Sequence, residues 1–280
     1  MNHTQSRIKA ILETVSVFLL VILVFKVIRI SSFGEWERQV LQRYFLEYAM
    51  VIVIPLVFLA MTRRNHAAYG ISFRNLNYHL NVVATAFIPI LLLSVVLSLL
   101  NWERWGEVLL VSTIEVVLLF VVAWMLRNKP TADNLGVANV LFLFMPVIFL
   151  PLLMTKIGKV VSDFVYFYVF IGPGEEILFR GYIQSRLNEV FGRSYRFFGV
   201  NWGWGLVITS LLFGFWHVLA PFNPILGNFD LMWLHGFWTF FLGLILGFIR
   251  EKTGSVVAPA ILHNVVNYPP QAIVYALLRL

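Results

Sequence analysis

The sequence predicts an all-α protein, a polytopic transmembrane helical bundle of eight or nine spans, from three observations. Sixty per cent of the residues are hydrophobic and only 12% are charged, against roughly 25% charged in a soluble domain, so the chain cannot cover itself for water. Apolar runs of about 20 residues, the length that crosses a bilayer as a helix, recur from end to end. Those runs are continuous, whereas the strands of a membrane barrel alternate over about ten residues.

In order, the runs fall near 8–28, 44–61, 81–100, 108–126, 136–154, 160–185, 200–219, 230–250 and 254–278. The first holds Lys9, Glu13 and Lys26 within or beside it. It is too long for a signal-peptide core and lacks a small-residue cleavage pattern, so it is expected to stay as an anchor. Trp102, Trp105, Trp202, Trp204 and Trp233 sit near span ends, where amphipathic rings favour the interface. The longest polar gaps, 62–80 and 186–199, are short, and no internal repeat or attached soluble module is evident.

The net charge of +7 comes from basic residues scattered through the hydrophilic gaps, not gathered in a stripe, so no nucleic-acid partner is expected. With the N-terminus inside, twelve basic residues, Arg7, Arg64, Arg186 and Arg250 among them, fall on the inner side. Eight, including Lys26, Arg29, Arg38 and Arg43, fall outside. The excess favours that orientation. The expected location is an integral, multi-pass site in a bacterial-type cytoplasmic membrane, with the bilayer itself as a partner. Cysteine is absent, which removes disulfides, thiolate nucleophiles and cysteine metal sites.

Against this background "PGEEILFRGYIQ", residues 173–184, stands out. A charged side chain mid-span costs roughly 2.5–3.5 kcal/mol, so Glu175, Glu176 and Arg180 together ask for about 8–10 kcal/mol before compensation. Glu176 and Arg180, at i and i+4, can pair, while Glu175 projects about 100° around the helix and is left available. Gly172-Pro173-Gly174 predicts a kink or break that puts both carboxylates at the start of a fresh helical segment, where negative charge is tolerated. "LLFGFWH" places His217 one turn after Phe213, and "ILHNVVN" places His263 and Asn267 on one helix face. Counted from Arg186, Trp202 and Lys252 at 1.5 Å per residue, Glu175, His217 and His263 lie roughly 16–22 Å from one membrane face and can converge at one depth. Glu115 and Asp163 are expected to make interhelical hydrogen bonds, His235 to pack, and Gly236, Gly243 and Gly247 to let helices approach closely.

E-E-x-x-x-R at Glu175, Glu176 and Arg180, F-x-x-x-H at Phe213 and His217, and H-x-x-x-N at His263 and Asn267 resemble, in order, the three motifs of the CPBP family. These are the CAAX-processing and bacteriocin-processing intramembrane proteases, also called Abi or type II CAAX prenyl endopeptidases. The resemblance spans roughly residues 170–270, which divides the chain into N-terminal helices, 1–155, and a catalytic core, 156–280. It implies an intramembrane endopeptidase with no cofactor. Its partner is a protein or peptide substrate, which in the family includes prenylated tails, peptide precursors and proteins with a C-terminal membrane tail.

In that reading Glu175 is the base and His217 shares the water. His263 and Asn267 donate to the oxyanion, Glu176 and Arg180 orient Glu175, and Phe213 supports His217. With no cysteine and no G-x-S-x-G elbow, water is the expected nucleophile. Zinc held by Glu175, His217 and His263 is the alternative that uses the same atoms. A proton-relay transporter and a non-catalytic binding or immunity protein on the same fold remain the competing classes. One backbone break and no repeated halves argue against the first.

Overall fold

The structure, a computed structural model, describes residues 3–99, 104–128 and 162–267. The span expected at 136–154 and the end of the one at 254–278 lie outside these. Helix α1, His3–Ile30, is apolar all round and still has two faces. Ala10, Thr14, Val17, Phe18, Val21 and Phe25 are buried at helical spacing, while Leu12, Leu19, Leu23 and Val27 are exposed as a lipid-facing stripe. Ser31 ends it and starts α2, Ser32–Val40, by accepting a hydrogen bond from the Gly34 amide. The buried Glu37 of α2 accepts from the Leu46 amide, which satisfies one of the free donors at the start of α3, Phe45–Met61.

Two long apolar helices follow, α4, Leu76–Leu99, and α5, Trp105–Met125. Residues 162–191 then form α6, helical throughout. The widened π-helical stretches Tyr166–Ile171 and Ile177–Ile183 flank α-helical Gly172–Glu176, and an α-helical end runs Gln184–Phe191. Of the kink or break expected at Gly172-Pro173-Gly174, the break is not made: the helix runs on, and both carboxylates lie in the short α-helical segment Gly172–Glu176. Proline lacks the N–H of an α-helical bond, and the flanking turns are π-helical, which keeps the helix continuous where one bond cannot form.

After α6 comes a hairpin of β1, Tyr195–Phe197, and β2, Val200–Trp202, joined by Phe198 and Gly199, both at positive φ, as a tight two-residue turn requires. The span expected at 200–219 thus begins only at α7, Trp204–Val218. Apolar content alone did not separate an aromatic hairpin from the helix after it. Last come α8, Trp233–Thr253, and α9, Val257–Asn267. Trp105, Trp204 and Trp233 are the first residues of α5, α7 and α8 and are more than half exposed, as interfacial anchors are.

Among the described residues four helices are long and apolar enough to cross a membrane: Thr4–Ile30, Leu76–Leu99, Trp105–Met125 and Trp233–Thr253. Phe45–Met61 and Trp204–Val218 are shorter apolar helices. The protein is a helical membrane bundle. α6 sits at its centre, between two cores. Tyr166, Phe167 and Ile171 pack with α4, α5, α8 and α9, whereas Leu178, Phe179, Tyr182, Ile183 and Leu187 pack with α1, α3 and α7. Close passage of α7 and α8 depends on small residues, since a Cβ on Gly214 would lie 2.5 Å from the Gly236 carbonyl and one on Gly243 would lie 3.1 Å from Ser210.

Candidate active site

Glu175 and Glu176 lie in the α-helical segment between the π-helical turns of α6, and both are buried. The i, i+4 pair expected from the sequence is made. An Arg180 Nη donates to Glu176 Oε1 at 2.9 Å and the other Nη to the Gly243 carbonyl at 3.2 Å, with both side chains at 0% exposure. His263 of α9 is fitted between the two carboxylates. Its Nδ1 is 2.9 Å from Glu176 Oε1 and its Nε2 is 3.7 Å from Glu175 Oε2. Glu176 therefore engages His263 and Arg180, and reaches Glu175 only through the imidazole.

Phe213 of α7 explains the aromatic position in F-x-x-x-H. The Arg180 guanidinium lies over its ring at 4.3 Å, a cation–π contact. His217 and His263 meet the same ring edge-on, with centroids 4.7 Å and 5.6 Å away. One buried ring thus spaces the cation and both imidazoles. His217 places Nδ1 2.9 Å from the Phe213 carbonyl. A carbonyl only accepts, so Nδ1 bears the proton and Nε2 is left with its lone pair.

Glu175 and His217 face a common cavity of about 120 Å³, walled also by Ile22, Phe25, Lys26, Arg29, Tyr48, Trp216, Leu219 and Ala220. Of the three motifs' residues, these two line it. Glu176, Arg180, Phe213 and His263 form the buried layer behind. Asn267 is half-buried, one turn beyond His263 at the end of α9. His235 stacks flush on Trp238, with rings 5.2 Å apart and 7° from parallel, and lies 5.1 Å from the His217 ring. It packs, as expected, but against the site.

Several residues of the wall gave little warning in the sequence. Lys26 and Arg29 were visible as charges at the end of the first span, yet their position depends on contacts with residues far along the chain. Asn264, beside His263, is buried against Gly172 with neither amide atom hydrogen-bonded. Asp163 pairs with Arg43 as expected of an intramembrane acid. Glu115, fully buried, has no hydrogen-bond partner among the described residues, so its expected interhelical bond is not made there.

The zinc alternative asks Glu175, His217 and His263 to converge on one ion. Among the described residues no three histidine or carboxylate side chains gather as a metal-binding group. His263 is held by Glu176 at Nδ1, and its other nitrogen stands at ion-pair distance from Glu175. The donor geometry does not favour that set.

Comparison with known proteins bears on the same segment. No curated protein and no solved structure matches the chain. A family model does, that of the Rce1-like proteins, described as type II CAAX prenyl endopeptidase Rce1-like, over residues 157–269. The match takes in α6 to α9 and every motif residue of the buried layer and the cavity. Over that stretch, which is less than half of its length, the chain is similar to the Rce1-like type II CAAX prenyl endopeptidases.

Proposed function

We propose that this protein is an intramembrane endopeptidase of the glutamate type, hydrolysing a peptide bond of a membrane-associated or precursor substrate. Glu175 takes a proton from a water held between it and His217 Nε2. The hydroxide attacks the scissile carbonyl, and the proton returns to the leaving amine through Glu175 or His217, so that one water is consumed and two peptide ends are released. The Asn267 amide and His263, one turn apart on α9, are the donors assigned to the oxyanion; His263 gives its Nδ1 proton to Glu176, so its Nε2 donates in the doubly protonated ring. Glu176 and Arg180 hold His263 and so set its position relative to Glu175. No step needs a metal.

The observation that supports this reading best is the shared cavity of Glu175 and His217, backed by a fully buried Glu176–Arg180–His263 layer. Burying three ionisable groups is costly unless each is paired, and a layer serving only to clamp helices needs no further carboxylate facing a cavity. All seven assigned residues fall within the proposed core, 156–280. The N-terminal helices supply one cavity wall through Ile22, Phe25, Lys26, Arg29 and Tyr48. With the N-terminus inside, that wall opens toward the outer face of a bacterial-type cytoplasmic membrane.

The test is comparative peptide and membrane proteomics of cells bearing wild type or Glu175→Gln at equal expression. A precursor that accumulates with the variant and is trimmed in wild type is the expected result. Indistinguishable peptide profiles would contradict the reading.

A further inference from the structure

Lys26 lies in the wall of the cavity that holds Glu175 and His217, on a helix that the family match does not reach. It is buried, and its ammonium donates to the carbonyls of Leu219 and Ala220 at 2.9 and 2.8 Å. These carbonyls belong to the end of α7, where a cation is favoured. An ammonium has three donors, and two are used. No carboxylate lies within salt-bridge distance of Lys26 among the described residues. Its neighbour Arg29 is differently placed, because a two-point bond to Glu47, at 3.1 and 2.7 Å, cancels its charge. At that end of the cavity the uncancelled charge is therefore that of Lys26, set beside the apolar side chains of Ile22, Phe25 and Trp216.

A clamp between α1 and α7 accounts for the two carbonyl bonds. It does not account for a third donor, or for an ammonium in the cavity wall with no carboxylate at bonding distance among the described residues. An anionic group entering that cavity satisfies both. The carbonyls that hold Lys26 lie two and three residues beyond His217, about 3–5 Å along the helix. An extended peptide covers about 3.3–3.6 Å per residue, so such a group lies within about three residues of the bond that Glu175 addresses.

Resting on the protease reading above, we propose that Lys26 is a specificity-determining residue that binds a carboxylate of the substrate close to the scissile bond. The carboxylate is either the C-terminal one or that of an Asp or Glu side chain.

The test measures binding, which does not require turnover. Glu175→Gln protein in nanodiscs is titrated with one fluorescently labelled apolar hexapeptide in three forms: the free acid, the C-terminal amide, and the amide with Glu as last residue. The free acid is expected to bind on the order of 10- to 100-fold tighter than the plain amide, as a charge-assisted hydrogen bond implies. That preference should vanish in Glu175→Gln/Lys26→Met and persist in Glu175→Gln/Lys26→Arg. If the Glu-bearing amide binds like the acid, a side-chain carboxylate also suffices; if it binds like the plain amide, the terminal carboxylate is the ligand.

Equal affinity for all three peptides, or binding of none, overturns the proposal before Lys26 is altered. A preference that survives Lys26→Met overturns it too, and Lys26→Gln provides the neutral side chain if the methionine variant is not monodisperse. Failure of wild type to cleave any precursor would count against the protease reading, while the acid preference would still decide the role of Lys26.

Discussion

Arg180 joins the buried layer more than any other side chain. It bonds Glu176, reaches the Gly243 carbonyl on α8 and lies over the Phe213 ring, with no exposure of its own. Removing one partner of a buried pair leaves the other uncompensated, at a cost of about 3–5 kcal/mol. Arg180→Met is therefore expected to destabilise the purified protein by that amount in thermal unfolding, and a change below about 1 kcal/mol would mean that His263, already bonded to Glu176, compensates its charge alone. Asn267 belongs to a different class of effect. As an oxyanion donor it acts when charge develops, so Asn267→Ala should lower kcat on the order of 10²–10³-fold with a smaller change in KM. A large rise in KM at unchanged kcat would make it a substrate-binding residue instead. The i, i+4 pairing of Glu176 and Arg180 was legible in the sequence, because helical spacing alone fixes it. The seat of His263 between Glu175 and Glu176 was not, since it depends on how α9 lies against α6, across 87 residues of chain.

That crossing of α6 and α9 is the element on which the site geometry rests. A Cβ on Gly172 would run into the Asn264 amide, so the helices touch where a side chain is missing. Gly172→Ala is expected to cost about 1–3 kcal/mol as overpacking and to lower activity by shifting His263 relative to Glu175. Combining it with Asn264→Ala should recover part of both losses, which a double-mutant cycle of unfolding and turnover would measure. Strict additivity would place the strain elsewhere. At this scale the helices themselves were legible, because runs of apolar residues mark them whatever their packing. The π-helical stretches around Gly172–Glu176 and the Tyr195–Trp202 hairpin were not. The first depends on how a proline inside a buried helix is accommodated, and the second on the Phe198-Gly199 turn, hidden within an aromatic stretch.

At the scale of the whole molecule, the described ion pairs outside the buried layer include two groups. In one, Glu13 takes Arg64 and Arg186, and Arg193 pairs with Glu251; in the other, Arg29 pairs with Glu47 and Arg43 with Asp163. These groups follow the inner and outer sets read from the sequence, so the positive-inside rule predicts the first group in the cytoplasm. Because the chain has no cysteine, single-cysteine variants report topology without background. Ser32→Cys should react with an impermeant maleimide in intact cells and Gln5→Cys only after permeabilisation; the reverse pattern would invert the protein. The cavity at the Lys26 end would then face outward, with Glu175 at its inner wall. The central claim is that Glu175 activates water there, and the most direct measurement is single-turnover cleavage of the accumulated precursor by purified wild type and Glu175→Gln in nanodiscs. The account predicts a loss of at least about 10²-fold in the chemical step with the fold and precursor binding retained. Cleavage by Glu175→Gln at the wild-type rate would contradict it.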